Sequence, residues 1–233
     1  MAIESSAGWA YGALKFKITC RLRDDMVPAG GPVVGEIRFT NQSTSPGSFV
    51  TASELGRPAY LKFTGELVQP HLTFRDPLEK VLASPEGPIA TIEVPAAETR
   101  EVRVVVNQFL CLEDARAVLS PGTKALMRIG WRRQMAEIAT AERRIGHEFV
   151  GGWLELEVLR DDELLRTSIT ALAERLEKDR NVIAADPVGR REASLALASL
   201  RVPEAIEALR RLTSHPDLEV RMRAEQALLT GDR

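Results

Sequence analysis

The sequence predicts a multi-domain chain, with an all-β unit at residues 1–160 and an all-α unit at residues 161–233. Three observations support this fold class. Up to residue 160, apolar and polar residues alternate with the period of two that is typical of half-buried strands. From Arg160 onward the apolar period becomes 3.6 residues, as in amphipathic helices. Within the helical part, a set of residues recurs 31 positions later, as Asp186 does at Asp217.

The clearest strand is 14–22, where apolar side chains occupy every second position and Lys, Thr and Arg occupy the others. One face of this strand is therefore expected on a core and the other in water. The same alternation predicts further strands at 33–41, 60–64, 66–74, 89–94, 99–107, 124–132 and 149–159. Pro70 marks an edge or a bulge. Short antiparallel strands separated by turns rich in Pro and Gly indicate a sandwich of two sheets.

The stretch from Thr99 to Trp131 organises this predicted sandwich. A strand leads into a compact excursion that contains the apolar residues Phe109, Leu110 and Leu112. The turn Ser120-Pro121-Gly122 then leads into the next strand, because Pro presets φ and Gly tolerates a positive φ. Two strands joined in this way indicate a corner of the sandwich.

Four helices are predicted after Arg160. Asp161-Asp162 supplies the N-cap and a favourable charge for the first helix, and the others open at Asp186-Pro187, at Pro203 and at His215-Pro216-Asp217. The apolar residues expected to face inward are Leu165, Ile169, Leu172 and Leu176, then Ala193, Leu197 and Leu200, then Ile206, Leu209 and Leu212, and finally Val220, Ala224, Ala227 and Leu228.

The repeated residues of the helical part are Asp186, Arg190, Ala193, Ala196 and Leu197, which recur as Asp217, Arg221, Ala224, Ala227 and Leu228. With the runs DPVGRREASLALASL and VPEAIEALRRLTSHPDLEVRMRAEQALL, segment 186–229 resembles HEAT repeats. The resemblance extends over about two repeats from Asp162 and implies a scaffold for protein interactions. Since solenoids usually need about three repeats to be stable, we expect these two to lean on the sandwich or to belong to a longer array.

Four features of the front part are shared with another family: the start at Trp9 to Leu14, Ala29-Gly30 before a strand ending in Asn41, the strand Thr99–Asn107, and Pro121-Gly122. Through them this part resembles a bacterial immunoglobulin-like sandwich of the kind often found in exported proteins. The resemblance implies a binding or adhesion-type module.

Composition and charge exclude two classes of partner. The net charge is −2 with 27% charged residues, so nothing draws the whole chain to nucleic acid or anionic lipid. The arginines between Arg128 and Arg144 have Glu137 and Glu142 among them and are expected to form a solvated face. No apolar stretch approaches the ~18 residues of a membrane span, so we expect neither a nucleic-acid partner nor membrane insertion.

The sequence leaves two locations open. The first twelve residues lack both a basic region and an apolar region of a signal peptide. The protein is therefore expected either in the cytoplasm or outside it after removal of a signal peptide.

Two local motifs have a structural and a chemical interpretation. Cys20 and Cys111 are expected to be buried thiols, although the sequence also permits a bridge between them. Asn41-Gln42-Ser43 matches a glycosylation acceptor, but a turn that ends a strand is the favoured interpretation.

No catalytic or metal-binding motif is present in the sequence. His71, His147 and His215 lie at no spacing typical of metal ligands, and neither a P-loop nor a G-x-S-x-G sequence occurs. Cys111 with a distant His has no local support as a nucleophilic pair. The sequence therefore predicts a non-enzymatic protein without a cofactor.

The predicted function is protein–protein interaction or a structural role, with another protein or peptide bound through the helical repeat face, the sandwich loops, or both. The candidate interaction residues are Arg190, Arg191, Arg221, Arg223 and Trp131, although core packing is the default interpretation for Trp131. The alternative is a protease inhibitor that presents the loop 44–58 or the loop 133–146. Within the second loop, 133–144 fits either a helical turn or a hairpin tip. An enzyme acting at the junction of the two parts rests on no motif.

Overall fold

The computed structural model describes residues 3–11, 14–52, 61–76, 90–134, 137–139, 142–144, 149–178 and 186–231. The strands are β1 Glu4–Tyr11, β2 Leu14–Leu22, β3 Met26–Pro28, β4 Val34–Asn41, β5 Gly47–Ala52, β6 Leu61–Leu67, β7 Leu72–Thr73, β8 Ala90–Val94, β9 Thr99–Val105, β10 Lys124–Gln134, β11 Glu137–Ala139, β12 Glu142–Arg144 and β13 Phe149–Leu159. The helices are α1 Asp114–Val118, α2 Asp162–Lys178, α3 Pro187–Ser199, α4 Pro203–Leu212 and α5 Leu218–Gly231, with a 3-10 turn at Val106–Gln108.

The strands form two larger sheets. The first has the order β1-β2-β4-β9 and the second the order β3-β13-β10-β6-β7. Strand pairs are antiparallel except β13 with β3. Inward side chains of both sheets, among them Phe16, Ile37, Ile129 and Leu154, belong to one buried cluster. The two sheets thus share a core, and the chain has mixed β and α content.

The strongest strand patterns are confirmed. β2 and β13 have the predicted bounds, and the apolar face of β2 is buried from Phe16 to Leu22. The segment 133–144 contains the hairpin β11-β12 rather than a helical turn. The compact excursion contains the 3-10 turn and α1, and its residues Phe109, Leu110 and Leu112 are buried.

Other strand predictions were wrong or incomplete. β6 continues through Leu67 instead of ending at Thr64, so the break falls at residues 68–71, around Pro70. β1, β3 and β5 were not predicted. For β1 the reason is its small residues, such as Ser5, Ala7 and Gly8, which give no clear alternation. Its antiparallel register with β2, from Leu14 to Arg21, supplies the pairing that the pattern does not show.

The four helices after residue 160 begin where the sequence predicts, three of them after a capping aspartate and α4 at Pro203. Asp161 Oδ1 accepts the N–H groups of Glu163 and Leu164 at 2.9 Å, and Asp186 Oδ1 accepts that of Gly189 at 2.8 Å. Asp217 caps α5 in the same way. The inward residues of these helices form a second buried cluster, which includes Leu165, Ile169, Leu197, Leu209 and Val220.

Asn41 is the last residue of β4 and is buried. Its Nδ2 donates to the carbonyl oxygens of Ser45 at 2.8 Å and Val94 at 3.0 Å, and its Oδ1 accepts the N–H of Ser43 at 2.9 Å. Asn41, the acceptor residue of the Asn-Gln-Ser tripeptide, is 1% exposed. The favoured interpretation, a turn that ends a strand, is therefore confirmed.

Candidate functional site

Charged side chains join the helices to the sheets at two places. At the first, the carboxylate of Glu192 in α3 is only 5% exposed. Arg23, just after β2, donates to its two oxygens at 2.8 and 2.6 Å, and Arg103 of β9 donates at 3.4 Å. Hydrogen bonding to Glu192 raises the pKa of Arg23. A carboxylate buried in this way needs such partners, so α3 is tied to the first sheet.

The second charged junction is built around Arg116 of α1. Its guanidinium donates to Glu204 of α4 at 3.2 Å and to Asp162 of α2 at 3.0 Å. Arg160 donates to the backbone oxygen of Arg116 at 2.7 Å. With Glu192, this junction connects α2, α3 and α4 to the strand-rich part of the chain. These contacts occupy the sides of the three helices that face the strand-rich part, so a partner could bind only on the other sides.

Within the helical part, arginines follow a repeated pattern of pairing. Arg175 of α2 bonds Asp186 at the start of α3 at 2.7 Å, and Arg190 of α3 bonds Asp217 at the start of α5 at 2.8 Å. The N–H of Gly189 and the nearby Arg175 lower the pKa of Asp186. Each of these two capping carboxylates is thus bound by an arginine of an earlier helix, Asp186 by one of α2 and Asp217 by one of α3.

The other candidate arginines differ in their exposure. Arg223 of α5 is 16% exposed in its side chain and donates to Ser194 Oγ at 2.7 Å. Arg221 donates to the backbone oxygen of His215 at 3.1 Å. Arg191 is the most exposed at 53%, with Glu219 at 3.8 Å. The structure therefore places Arg190, Arg221 and Arg223 in contacts between and within the helices.

Trp131 lies inside the sheets. It is 1% exposed, and its Nε1 donates to Ser5 Oγ at 2.6 Å across to β1. Of the two roles predicted for this residue, its burial matches core packing. A partner has no access to the ring, so Trp131 leaves the set of candidate interaction residues.

Three large apolar side chains of α5 point away from the core. Leu218 is 58% exposed, Met222 is 58% exposed and Leu229 is 77% exposed. Their spacing of four and seven residues places them on one side of the helix. We call these three residues the α5 face. Sequence reasoning assigned only the opposite, buried side of this helix, although the extra apolar positions were visible in the pattern.

The equivalent helix α3 has no such face. Thirty-one residues earlier, the positions of Leu218, Met222 and Leu229 hold Pro187, Arg191 and Ala198. The α5 face is therefore a difference between the two copies rather than a property of the repeated unit. Exposed apolar side chains gathered on one surface are typical of interaction sites.

Among the described residues, the structure does not bring together a group of side chains that is typical of a catalytic site. In that part of the chain no group of three His, Cys, Asp or Glu side chains is arranged to hold a metal ion. His215 is buried, with Nε2 3.0 Å from the backbone oxygen of Leu176 and Nδ1 accepting the N–H of Asp217. This histidine joins the end of α2 to the turn before α5. His147 lies outside the described residues.

Both cysteine thiols are free and buried. Burial raises the pKa of Cys20 to about 12 and that of Cys111 to about 11. Neither thiol is thus a nucleophile near neutral pH, because the thiolate is the reactive form. Of the two states considered for the cysteines, the structure has separate buried thiols.

The loops considered for protease inhibition are described only in part. Residues 44–52 of the first loop contain β5, and the second loop contains the end of β10 together with β11 and β12, while the rest of both loops lies outside the described residues. The inhibitor hypothesis stays a prediction.

Among the described residues, no helix has both the length and the apolar character needed to cross a membrane. A scan of family models finds no match, and a comparison with curated proteins finds none either.

Some solved structures align with part of the chain. They include a beta-glucosidase from Listeria innocua in complex with isofagomine, and a mutant of it in complex with laminaribiose. Each shares 12% sequence identity and a TM-score of 0.30, and the alignment covers 64% of this chain. The chain spans 17% of the length of those enzymes. A likeness at this level assigns neither fold nor activity.

Proposed function

We propose that this chain is a non-enzymatic protein–protein interaction module that binds a protein or peptide through the α5 face. The observation that carries the proposal is the exposure of Leu218, Met222 and Leu229 on one side of a helix. The architecture that we propose for it is an immunoglobulin-like sandwich, residues 1–160, followed by a HEAT-like segment, residues 161–233. Four helices are few for a HEAT array, so the sheets would serve as its support.

The charged junctions support this arrangement. Glu192 and Glu204 are held by arginines from the strand-rich part of the chain, on helices that precede α5. A helical segment anchored on one side can present its other side with little loss of conformational freedom on binding. That preorganisation favours recognition over a purely internal role for the α5 face.

The size of the α5 face sets a limit on its contribution. Burying an exposed Leu or Met side chain is worth about 1.5–3 kcal/mol, and these three are already partly covered. A micromolar complex needs roughly 8 kcal/mol after the costs of association. The three side chains can therefore be the centre of an interface, and flanking charges such as those of Arg191 and Glu219 would complete it.

The test is site-specific photo-crosslinking in the full-length chain. A photoreactive amino acid replaces Met222 in one variant and Val118, which is 42% exposed on α1, in the matched control. We expect a defined crosslinked partner from position 222 and none of it from position 118. Equal crosslinking at both positions would contradict the proposed face.

A second measurement uses the partner so identified in purified form. The triple variant L218S/M222S/L229S is expected to bind it at least about tenfold more weakly, as loss of an interface centre implies, while Val118→Ser leaves affinity unchanged. An unchanged affinity in the triple variant would exclude the α5 face as the binding site.

A further inference from the structure

A second surface lies on the outer side of the second sheet, away from the helices of the proposed function. Trp153 of β13 is 59% exposed there, whereas Trp9 and Trp131 are buried. An exposed Trp on the outer face of a sheet gains little from the core. Folding stability therefore does not explain why a Trp is found at position 153.

The neighbours of Trp153 leave its ring uncovered. Gly130 is its direct cross-strand partner on β10, and a Cβ at that glycine would lie 3.1 Å from the ring atom Cζ3. The indole therefore lies across the backbone of β10, towards Thr64 of β6, whose Oγ1 is on the other side of Gly130. Gly151, two residues before Trp153 on the same face, also lacks a side chain. The result is a flat aromatic platform with a hydroxyl group beside it.

Charge changes sign along the strands on either side of this platform. One step along, about 7 Å away, the register places the exposed cations Lys62 and Arg132 directly opposite each other. One step in the other direction, Arg128 lies between Glu66 and Glu155, with Glu155 3.1 Å from its Nε. The face thus runs from two cations through an aromatic row to a row with two carboxylates.

This order selects among anionic ligands. Two like charges placed directly opposite each other in a sheet repel. A single anionic group beside Lys62 and Arg132 would be attracted by both cations and would relieve this repulsion. A uniformly charged polyanion laid along the strands would next meet Glu66 and Glu155 and be repelled. The ligand that fits has one anionic end, a body with an apolar flat side, and hydrogen-bond donors at its other end.

We propose that this face binds an acidic sugar, a uronic-acid unit of a glycan. Its ring C–H groups would lie on the negatively polarised face of Trp153. Its carboxylate would lie beside Lys62 and Arg132, and its hydroxyls would donate to Glu66 or Glu155 and bond Thr64 Oγ1. The surface is separate from the α5 face, so either proposal can fail without the other.

The test measures binding of glucuronosyl-xylose, a disaccharide with a single uronic acid, to the full-length chain by calorimetry and by quenching of tryptophan fluorescence. The matched ligand is the methyl ester of this disaccharide, which keeps both rings and lacks the charge. We expect the acidic disaccharide to bind and to protect Trp153 from an added quencher, and the ester to bind at least about tenfold more weakly. No binding of the acidic disaccharide, or equal binding of the ester, overturns the proposal.

Variants locate the site. Trp153→Ala is expected to weaken binding at least about tenfold and Arg132→Gln about fivefold, while Lys124→Gln, at the far end of the same strand and face, changes it less than about twofold. Where Trp153→Ala alters the melting temperature, the double variant K62Q/R132Q replaces it. Unchanged binding in these variants overturns the site, and tighter, Trp153-dependent binding of single-stranded oligothymidylate would assign the platform to nucleic acid instead.

Discussion

Helices α3 and α5 share five residues at equivalent positions but contact different parts of the molecule. α3 packs on β9 and on the 3-10 turn, whereas α5 packs on α3 and α4. One position shows how: Glu192 in α3 binds arginines of the sheet region, and its equivalent in α5 is Arg223, which donates to Ser194 of α3. The shared residues thus build the helix, and the residues that differ decide what it docks against.

The largest expected difference between the copies is in the packing of one leucine. Leu197 of α3 is 0% exposed, whereas the equivalent Leu228 of α5 is partly buried against the same cluster. We expect Leu197→Ala to lower the free energy of unfolding by about 3 kcal/mol and Leu228→Ala by about 1 kcal/mol, since removing a partly exposed side chain leaves no enclosed cavity. Urea unfolding followed by far-UV circular dichroism measures both, and equal losses would contradict the comparison.

The next effect concerns the charged position that distinguishes the helices. Glu192→Gln is expected to cost about 2 kcal/mol of unfolding free energy, below the usual cost of breaking a buried pair because Arg23 and Arg103 reach solvent. Arg223→Gln is expected to cost about 1 kcal/mol. Glu174→Gln, on the solvent side of α2, is the control and should stay within about 0.5 kcal/mol. If Glu192→Gln lowered the unfolding free energy no more than the control does, the contacts of Glu192 with Arg23 and Arg103 would not stabilise the fold.

Acid should weaken the cap of α5. Burial opposes ionisation of Asp217, but the N–H of Val220 and the guanidinium of Arg190 outweigh it and hold its pKa below the ordinary 3.8. The stabilisation is therefore complete above that pKa and is lost as the pH falls through the lower pKa of the folded state. Asp217→Asn, which keeps a capping oxygen, should lower stability at pH 7 and lose less of it between pH 5 and pH 2. Identical acid profiles of the two proteins would show that the charge of Asp217 contributes nothing.

The smallest effect is expected on the outer sides of the two helices. Met222→Ser on the α5 face and Arg191→Ser at the equivalent position of α3 should each change the unfolding free energy by less than about 0.5 kcal/mol. Thermal melting of both variants checks this. A loss of several degrees for Met222→Ser alone would mean that the side chain packs inside the folded chain and does not form a docking surface.

Local patterns predicted the elements well where one face of an element is strongly apolar. The alternation in β2 and the capping aspartates of α2, α3 and α5 gave correct positions. β1 escaped prediction because its small residues carry little hydrophobic contrast, and pairing with β2 forms it. For the candidate site, the sequence repeat located Arg190 and Arg221 but did not identify the groups that they bind. The pattern of α5 was used only to assign its buried side, so its exposed apolar residues were missed.

The sequence by itself determined the change of period near residue 160, the strand β2, and the helices with their caps, because these depend on residues within a few positions of one another. Only the tertiary structure decided that Arg23 binds Glu192, 169 positions away, and that Trp131 is buried while Trp153 is exposed. Both tryptophans lie on strands of one sheet, and the alternation of side chains places one on each face. Which face is covered depends on the packing of the other sheet, and no local pattern contains that information.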